Sequence, residues 1–289
     1  MNIDGTTPIY GLIGNPTKHT LSPRLHNTLA EMTGIKMIYA AFPVPQGGVS
    51  KAIYGAHSLG ISGLNVTAPY KTEVIPYLKA ITPTAERLGV VNTLVREEEG
   101  FIGHNTDNIG LFRAIKSEGY EIKSSNIIIL GAGAAARAAA FLCAEEEAKS
   151  IFIINRTKEK ALAIASEVNQ KMKKECLNGM GINDLTALPN ERFIAIQSTS
   201  LGMHPNEGQV LIDDNSFYGY IEAGFDMIYN PPETPFMKKI SEAGACAVNG
   251  LKMLMYQGIA AFELWHQISV SDELIPAVYH KLKENLHEK

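Results

Sequence analysis

Short polar strings stand where apolar runs of this chain stop. Gly63-Leu64-Asn65-Val66-Thr67-Ala68-Pro69-Tyr70-Lys71 sets an amide, a hydroxyl and an ammonium just past a strand-like run. Gly89-Val90-Val91-Asn92-Thr93 and Gly103-His104-Asn105-Thr106-Asp107 add further amides and a carboxylate. Polar groups at the C-terminal ends of strands face the crevice in which α/β sheets bind ligands. An ion-paired Lys71–Asp107 would hold an ammonium beside a substrate oxygen, ready for acid–base work. Singly, each residue also has a plainer role. Lys71 alone reads as a solvated lysine, and Asp107 can cap the helix that starts there.

A second chemical signal lies at Gly131, Gly133 and Ala136, which match G-x-G-x-x-[G/A] between an apolar strand and an alanine-rich helix. Gly131 permits the tight turn, Gly133 lets the backbone approach a pyrophosphate, and the helix N-terminus offers unpaired N–H groups to the anion. The loop as a whole is Gly131, Ala132, Gly133, Ala134 and Ala135. An NAD site usually carries Asp or Glu about 20 residues after the glycines to bind the ribose 2′-hydroxyl. Here the next strand ends in Asn155, Arg156 and Thr157, with Lys160 following. With no carboxylate to repel a 2′-phosphate and a guanidinium to meet it, the cofactor expected is NADP(H).

Elements must position these groups, and the pattern of apolar runs alternating with amphipathic stretches is that of an α/β protein. In the first part, strands are predicted at Ile9–Gly14, Met37–Val44, Ile61–Val66, Val91–Val95 and Phe101–Gly103. Ser22–Pro23 reads as an N-cap followed by a first-turn proline, and further helices are predicted at Gly48–Leu59, Pro69–Leu78 and Asp107–Glu118. Gly119–Ser125 reads as the crossing to a second unit. That unit holds strands Asn126–Leu130, Ser150–Asn155, Phe193–Ser198 and Gly224–Met227 with a helix at Lys158–Lys171, and helices at Leu251–His266 and Asp272–Asn285 close the chain.

Composition narrows the classes. A length of 289 residues with 45% hydrophobic content supports two modest cores. A net charge of −4 argues against a nucleic-acid partner. Cys143, Cys176 and Cys246 form no CxxC pair and are expected to pack, which suits a reducing, cytoplasmic setting. Met1 to Pro8 lacks a signal-peptide pattern, and no run approaches about 18 apolar residues, so no membrane segment is expected. No metal site is expected either, and the partner is a small molecule, with a homodimer as the assembly to test.

The segments His19-Thr20-Leu21-Ser22-Pro23, Asn65 to Lys71, Val91-Asn92-Thr93, Asn105-Thr106-Asp107, the glycine loop, Asn155-Arg156-Thr157, Gly202-Met203, Asp226-Met227-Ile228-Tyr229-Asn230-Pro231 and Gly250-Leu251-Lys252-Met253-Leu254 with Tyr256-Gln257 resemble, in order, the motifs of the shikimate dehydrogenase family. The resemblance covers nearly the whole chain. It implies a substrate domain made of residues 1–108 and 249–289, with an inserted Rossmann NADP domain at 109–248. It further implies NADPH-dependent reduction of 3-dehydroshikimate to shikimate, a step toward chorismate and the aromatic amino acids. Carried over by position, Thr20 and Ser22 would bind the substrate carboxylate at a helix start, and Asn65, Thr67, Asn92 and Gln257 would read ring hydroxyls. Lys71 and Asp107 would be the catalytic pair, Lys71 protonating the oxygen that receives negative charge. Tyr229 would touch the substrate or serve as a junction aromatic, and Thr199, Met227 and Gly250 would join the cofactor loop residues.

Departures from the family pattern are Thr20 in place of the first serine, Ala134 in place of a third loop glycine, and Lys252 before Met253. Rival readings are a degradative quinate/shikimate dehydrogenase, which commonly prefers NAD, a ligand-sensing relative without turnover, and a folate- or glutamyl-type dehydrogenase. Arg156 speaks against the first and the Lys71–Asp107 combination against the second. The Ser/Thr pair and Tyr256–Gln257 speak against the third.

Overall fold

The computed structural model describes residues 3–284. Its contacts divide the chain into two compact units, residues 1–110 with 254–289 and residues 111–253. The unit boundaries fall inside two helices, between Gly110 and Leu111 and between Met253 and Leu254, so the crossing expected at Gly119–Ser125 lies elsewhere.

In the first unit the chain runs β1 (Ile9–Gly14), α1 (Ser22–Thr33), β2 (Ile38–Pro43), α2 (Val49–Ser58), β3 (Gly63–Val66), β4 (Ala80–Ile81), α3 (Pro83–Leu88), β5 (Thr93–Glu97), β6 (Gly100–His104) and α4 (Asp107–Ser117). The sheet order is β2-β1-β3-β5-β6-β4. β1 pairs in parallel with both β2 and β3, while β5 is antiparallel to β3 and β6. Apolar residues of this sheet, including Ile13, Leu64, Val66, Leu94 and Phe101, form a core with Val49 and Ile53 of α2. The expected helix Pro69–Leu78 is absent. Residues 69–74 form successive turns and only Ile75–Tyr77 makes a 3₁₀ turn, because Pro76 in the interior has no N–H to donate. Tyr70 holds this segment, buried and donating its hydroxyl to the Val44 carbonyl at 2.7 Å.

The second unit continues with β7 (Asn126–Leu130), α5 (Ala134–Glu145), β8 (Ser150–Asn155), α6 (Lys158–Met172), β9 (Leu177–Gly181), β10 (Phe193–Gln197), α7 (Asn215–Tyr218), β11 (Ile221–Asp226), α8 (Pro235–Glu242) and β12 (Cys246–Val248). The helix α9 (Leu251–His266) then returns the chain to the first unit, followed by a 3₁₀ turn at Asp272–Leu274 and α10 (Ile275–Glu284). The expected terminus of that last helix, Asn285, lies outside the described residues. All strands of this sheet are parallel in the order β12-β11-β10-β7-β8-β9. Counted from its first strand this is the 3-2-1-4-5-6 order of the doubly wound dinucleotide-binding fold, with its switch point between β7 and β10. The central strands are buried on both faces, which is why Ile127–Leu130 and Phe193–Ile196 read as near-continuous apolar runs. α5 packs through Ala136, Ala139, Ala140 and Cys143, whose small side chains let the helix lie close to the sheet.

Sequence patterning did not reveal β4, α3, β9, α7, α8 or β12. β9, Leu-Asn-Gly-Met-Gly, has no β-branched residue and lies at a sheet edge, so neither propensity nor apolar alternation marks it. Among the described residues no helix is long and apolar enough to cross a membrane, and no cluster of His, Cys, Asp and Glu could hold a metal ion.

Candidate active site

In the first unit the polar strings converge as a hydrogen-bonded network. β3 delivers Asn65, the turns after it deliver Thr67 and Lys71, the segment entering β5 delivers Asn92, and the start of α4 delivers Asp107. The Lys71 backbone is pinned by the Val91 N–H, which donates to its carbonyl at 2.9 Å. From there the ammonium reaches Asp107 Oδ2 at 2.7 Å, with the side chains 33% and 21% exposed. An ammonium has three N–H donors, so this contact leaves two directions for a ligand or solvent.

Asp107 is free to make that contact because it does not cap its helix. It is the first helical residue of α4, and the cap is Asn105, whose Oδ1 accepts from the N–H groups of Asp107 at 3.1 Å and Asn108 at 3.4 Å. The expected capping role for Asp107 is thereby corrected. Ser22 is corrected in the same way. It is the first residue of α1, Leu21 holds the N-cap position without a side-chain cap, and the Ser22 N–H donates to Thr20 Oγ1 at 3.3 Å.

Asn92 is the hub of the network. Its Nδ2 donates to Thr106 Oγ1 at 2.9 Å, Asp107 Oδ1 at 3.0 Å and Gln257 Oε1 at 3.3 Å. Its Oδ1 accepts from the Thr106 N–H at 2.8 Å and from the Thr93 hydroxyl at 3.1 Å. Asn92 is 2% exposed and Thr106 fully buried, so these bonds are shielded from water and hold Asp107 and Gln257 in place. Asn65 joins through Nδ2, which donates to Thr93 Oγ1 at 3.0 Å and the Asn92 carbonyl at 3.2 Å. The Thr20 hydroxyl donates to Ser22 Oγ at 3.1 Å, and Ser22 is buried at the head of α1. Thr67 is half-buried, and among the described residues its hydroxyl has no hydrogen bond.

Residues that motif reading passed over complete this network. They are Thr93, Asn105, Thr106 and Tyr39. The Tyr39 hydroxyl donates to Asn65 Oδ1 at 2.7 Å from a fully buried ring, and burial raises its pKa well above the usual tyrosine value. No local signal marks it, since a tyrosine in an apolar strand reads as core.

In the second unit the glycine loop leaves β7 at the switch point. Gly131 has φ +112°, a conformation L-residues rarely adopt, and a Cβ there would stand 2.9 Å from Ser198 Oγ and Thr199 Cγ2. Gly133 is the N-cap of α5 with ordinary φ, and a Cβ there would meet nothing within 4 Å. The first glycine is demanded by the protein itself. The second keeps open a space beside the helix N-terminus, with Ala134 and Ala135 exposed around it. Ala132 is half-buried and Ala136 fully buried.

At the end of β8, Asn155 Nδ2 donates to the Thr157 carbonyl at 3.0 Å, and Arg156, Thr157 and Lys160 are exposed. Lys158 pairs with Asp184 at 2.9 Å, whereas among the described residues Arg156 has no ion pair. A guanidinium presented this way and no carboxylate at the strand end suit a 2′-phosphate, so the residues fit NADP(H). Thr199 follows β10 and is shaped by buried Gln197, which accepts from the Thr199 N–H at 2.6 Å. The Met227 N–H donates to the Gln197 carbonyl at 3.0 Å, and the Gly250 N–H to the Ile228 carbonyl at 2.8 Å. Tyr229 is half-buried in this turn, and burial raises its pKa. Lys252 pairs with Glu118 at 2.5 Å. Cys143 is buried, Cys176 half-buried and Cys246 exposed, and none forms a disulfide.

Residues 12–94 match the model of the shikimate dehydrogenase substrate binding domain, and residues 113–203 that of shikimate / quinate 5-dehydrogenase. The chain is 39% identical over 270 residues to the shikimate dehydrogenase (NADP(+)) of Methanosarcina acetivorans, covering 92% of this chain and 95% of that one. Among solved structures, a shikimate dehydrogenase in complex with NADP+ superimposes with a TM-score of 0.88 at 37% identity, over 99% of this chain and 98% of that one. The shikimate 5-dehydrogenase of Listeria monocytogenes, in complex with shikimate and NAD, gives 0.85 at 31% identity, over 99% and 98%.

Proposed function

The chain belongs to the shikimate dehydrogenase family, and from that premise we propose that it catalyses the reversible NADPH-dependent reduction of 3-dehydroshikimate to shikimate, in the route to chorismate and aromatic amino acids. The observation that carries the reading is the 2.7 Å contact between Lys71 and Asp107, held from behind by Asn92. A protein that only sensed its ligand would have no need of an ammonium and carboxylate locked together with donors to spare.

The first unit takes the substrate role and the second the cofactor role. NADPH, when bound, supplies the hydride. Gly131 to Ala135 and the N-terminus of α5 receive its pyrophosphate, Arg156 with Thr157 and Lys160 receives the 2′-phosphate, and Asn155, Thr199, Met227 and Gly250 line the remainder. In the substrate unit, the hydroxyls of Thr20 and Ser22 bind the carboxylate, and Asn65, Thr67, Asn92 and Gln257 bind ring hydroxyls. Lys71 gives a proton to the ketone oxygen as negative charge develops on it. Asp107 holds the ammonium in place and accepts from a neighbouring substrate hydroxyl.

The cytoplasmic setting is supported by cysteines that form no disulfide, one of them buried. The assembly proposed is a homodimer, which sedimentation equilibrium reads directly. The activity is tested by absorbance at the reduced-nicotinamide band, crossing shikimate and quinate with NADP and NAD. Shikimate with NADP is expected to give the highest kcat/KM. Faster turnover of quinate with NAD would favour the degradative reading, and no turnover with any pair would overturn the enzyme assignment.

A further inference from the structure

Beneath the substrate network lies a layer to which no role has been given. His26 sits on α1 one turn after Ser22 and is fully buried. Its ring stacks on Tyr39 with centroids 4.3 Å apart and planes 12° from parallel, and Trp265 closes the box with its centroid at 5.0 Å. The next residue, Asn27, grips the same tyrosine by its backbone. Asn27 Oδ1 accepts from the Tyr39 N–H at 2.9 Å, and its Nδ2 donates to the Tyr39 carbonyl at 3.0 Å. Successive residues of one helix turn therefore hold a single tyrosine, one by the ring and one by the main chain.

The imidazole contributes its ring plane alone. Neither ring nitrogen has a hydrogen-bond partner among the described residues. Leaving a buried donor or acceptor unpaired costs free energy, and a phenylalanine would fill the stack without that cost. The ring faces the Asn65 amide but not in a geometry that makes a hydrogen bond. Burial lowers its pKa to about 3, so it stays neutral across the working pH range and carries one N–H. Asn65 Oδ1 accepts the Tyr39 hydroxyl and has a second lone pair to spare, while Asn65 Nδ2 faces the Asn92 carbonyl at 3.2 Å. Rotating that amide by half a turn would put oxygen against oxygen.

We propose that Tyr39 is a positioning residue for the substrate site, acting through Asn65, with its ring set by stacking on His26. The Tyr39 hydroxyl fixes the amide oxygen, so that the amide nitrogen keeps its bonds to Thr93 and Asn92 and the second lone pair of the oxygen is left for a ring hydroxyl. This inference rests on the substrate-site reading above.

Tyr39→Phe removes the hydroxyl that fixes the Asn65 amide, and His26→Phe, which keeps the stacked plane, is its control. Tyr39→Phe is expected to raise KM for shikimate about fivefold, the value of one neutral hydrogen bond, and His26→Phe to leave it within about twofold, with kcat and KM for NADP within about twofold in both. In an Asn65→Ala background Tyr39→Phe should add less than twofold. His26→Phe should also unfold at the wild-type temperature or above, because it removes unpaired polar groups. If wild type turns over shikimate while Tyr39→Phe keeps KM within twofold, or His26→Phe raises it as much as Tyr39→Phe, the role assigned to the Tyr39 hydroxyl is wrong. Undiminished effects in the Asn65→Ala background, or equal losses for NADP, would overturn it too, since they mean general loosening. A wild-type chain that does not turn over shikimate removes the functional reading and this inference together.

Discussion

Gly133→Ala separates the needs of the fold from those of the cofactor. The added methyl meets no atom within 4 Å, and Gly133 has φ −96° and ψ −170°, which alanine adopts without strain. Alanine is a poorer N-cap than glycine by roughly 0.5–1 kcal/mol, while reduced freedom of the unfolded chain returns about 0.4–1 kcal/mol. These offset, so Tm measured by calorimetry without nucleotide should stay within about 3 °C of wild type. The methyl would occupy the space proposed for the pyrophosphate. Losing one charge-assisted hydrogen bond, about 1.5–3 kcal/mol, weakens NADP binding by roughly 10- to 150-fold in isothermal titration. Gly131→Ala is the contrasting control. Its φ of +112° and the 2.9 Å approach to Ser198 and Thr199 mean at least roughly 1–3 kcal/mol of strain and a Tm lower by several degrees. Wild-type NADP affinity in folded Gly133→Ala would refute the assignment of that space to the cofactor.

Lys71→Ala should lower kcat by roughly 10²–10⁴-fold, the range for a general acid, with NADP affinity retained; near-normal kcat would remove Lys71 from the chemistry. Arg156→Ala should weaken NADP far more than NAD, and equal weakening of both would mean that the guanidinium does not read the 2′-phosphate. Asp226 predicts a pH dependence. Burial raises it to about 6 from the usual 3.8, against the hydrogen bonds it accepts from Thr234 at 2.6 Å and the Ile228 N–H at 2.9 Å. A carboxyl whose folded pKa lies above its unfolded one favours the native state below about pH 3.8, and that stabilisation is lost as pH rises through about 6. Between pH 4 and 7, wild type should therefore lose up to roughly 3 kcal/mol relative to Asp226→Asn in denaturant unfolding. A difference independent of pH would show that Asp226 does not titrate in this range.

The nucleotide loop was legible from chain order because it is local. A strand, a turn demanding positive φ and the N-terminus of a helix are consecutive in sequence, and the cofactor-selecting residues follow at the end of the next strand. The central strands of the second unit were legible too, since burial on both faces leaves an unbroken apolar run. The segment from Pro69 to Leu78 misled, because its helical spacing gave no weight to Pro76.

Residue types alone suggested Lys71 and Asp107, but their partnership spans 36 positions and depends on a sheet that brings β3, β5 and β6 side by side. Whether Asp107 capped its helix or faced the lysine was a choice between one local and one distant partner. The fold settled it by giving the cap to Asn105, two residues away. Tyr39 and His26 carried no mark in the sequence, for an aromatic in a buried strand and a histidine on an apolar helix face both read as core. Packing α1 against β1 and β2 sets His26 on the Tyr39 ring, and the Tyr39 hydroxyl meets Asn65 of β3. Side-chain chemistry is written residue by residue, but which donor meets which acceptor across the sheet exists only once the strands are in register.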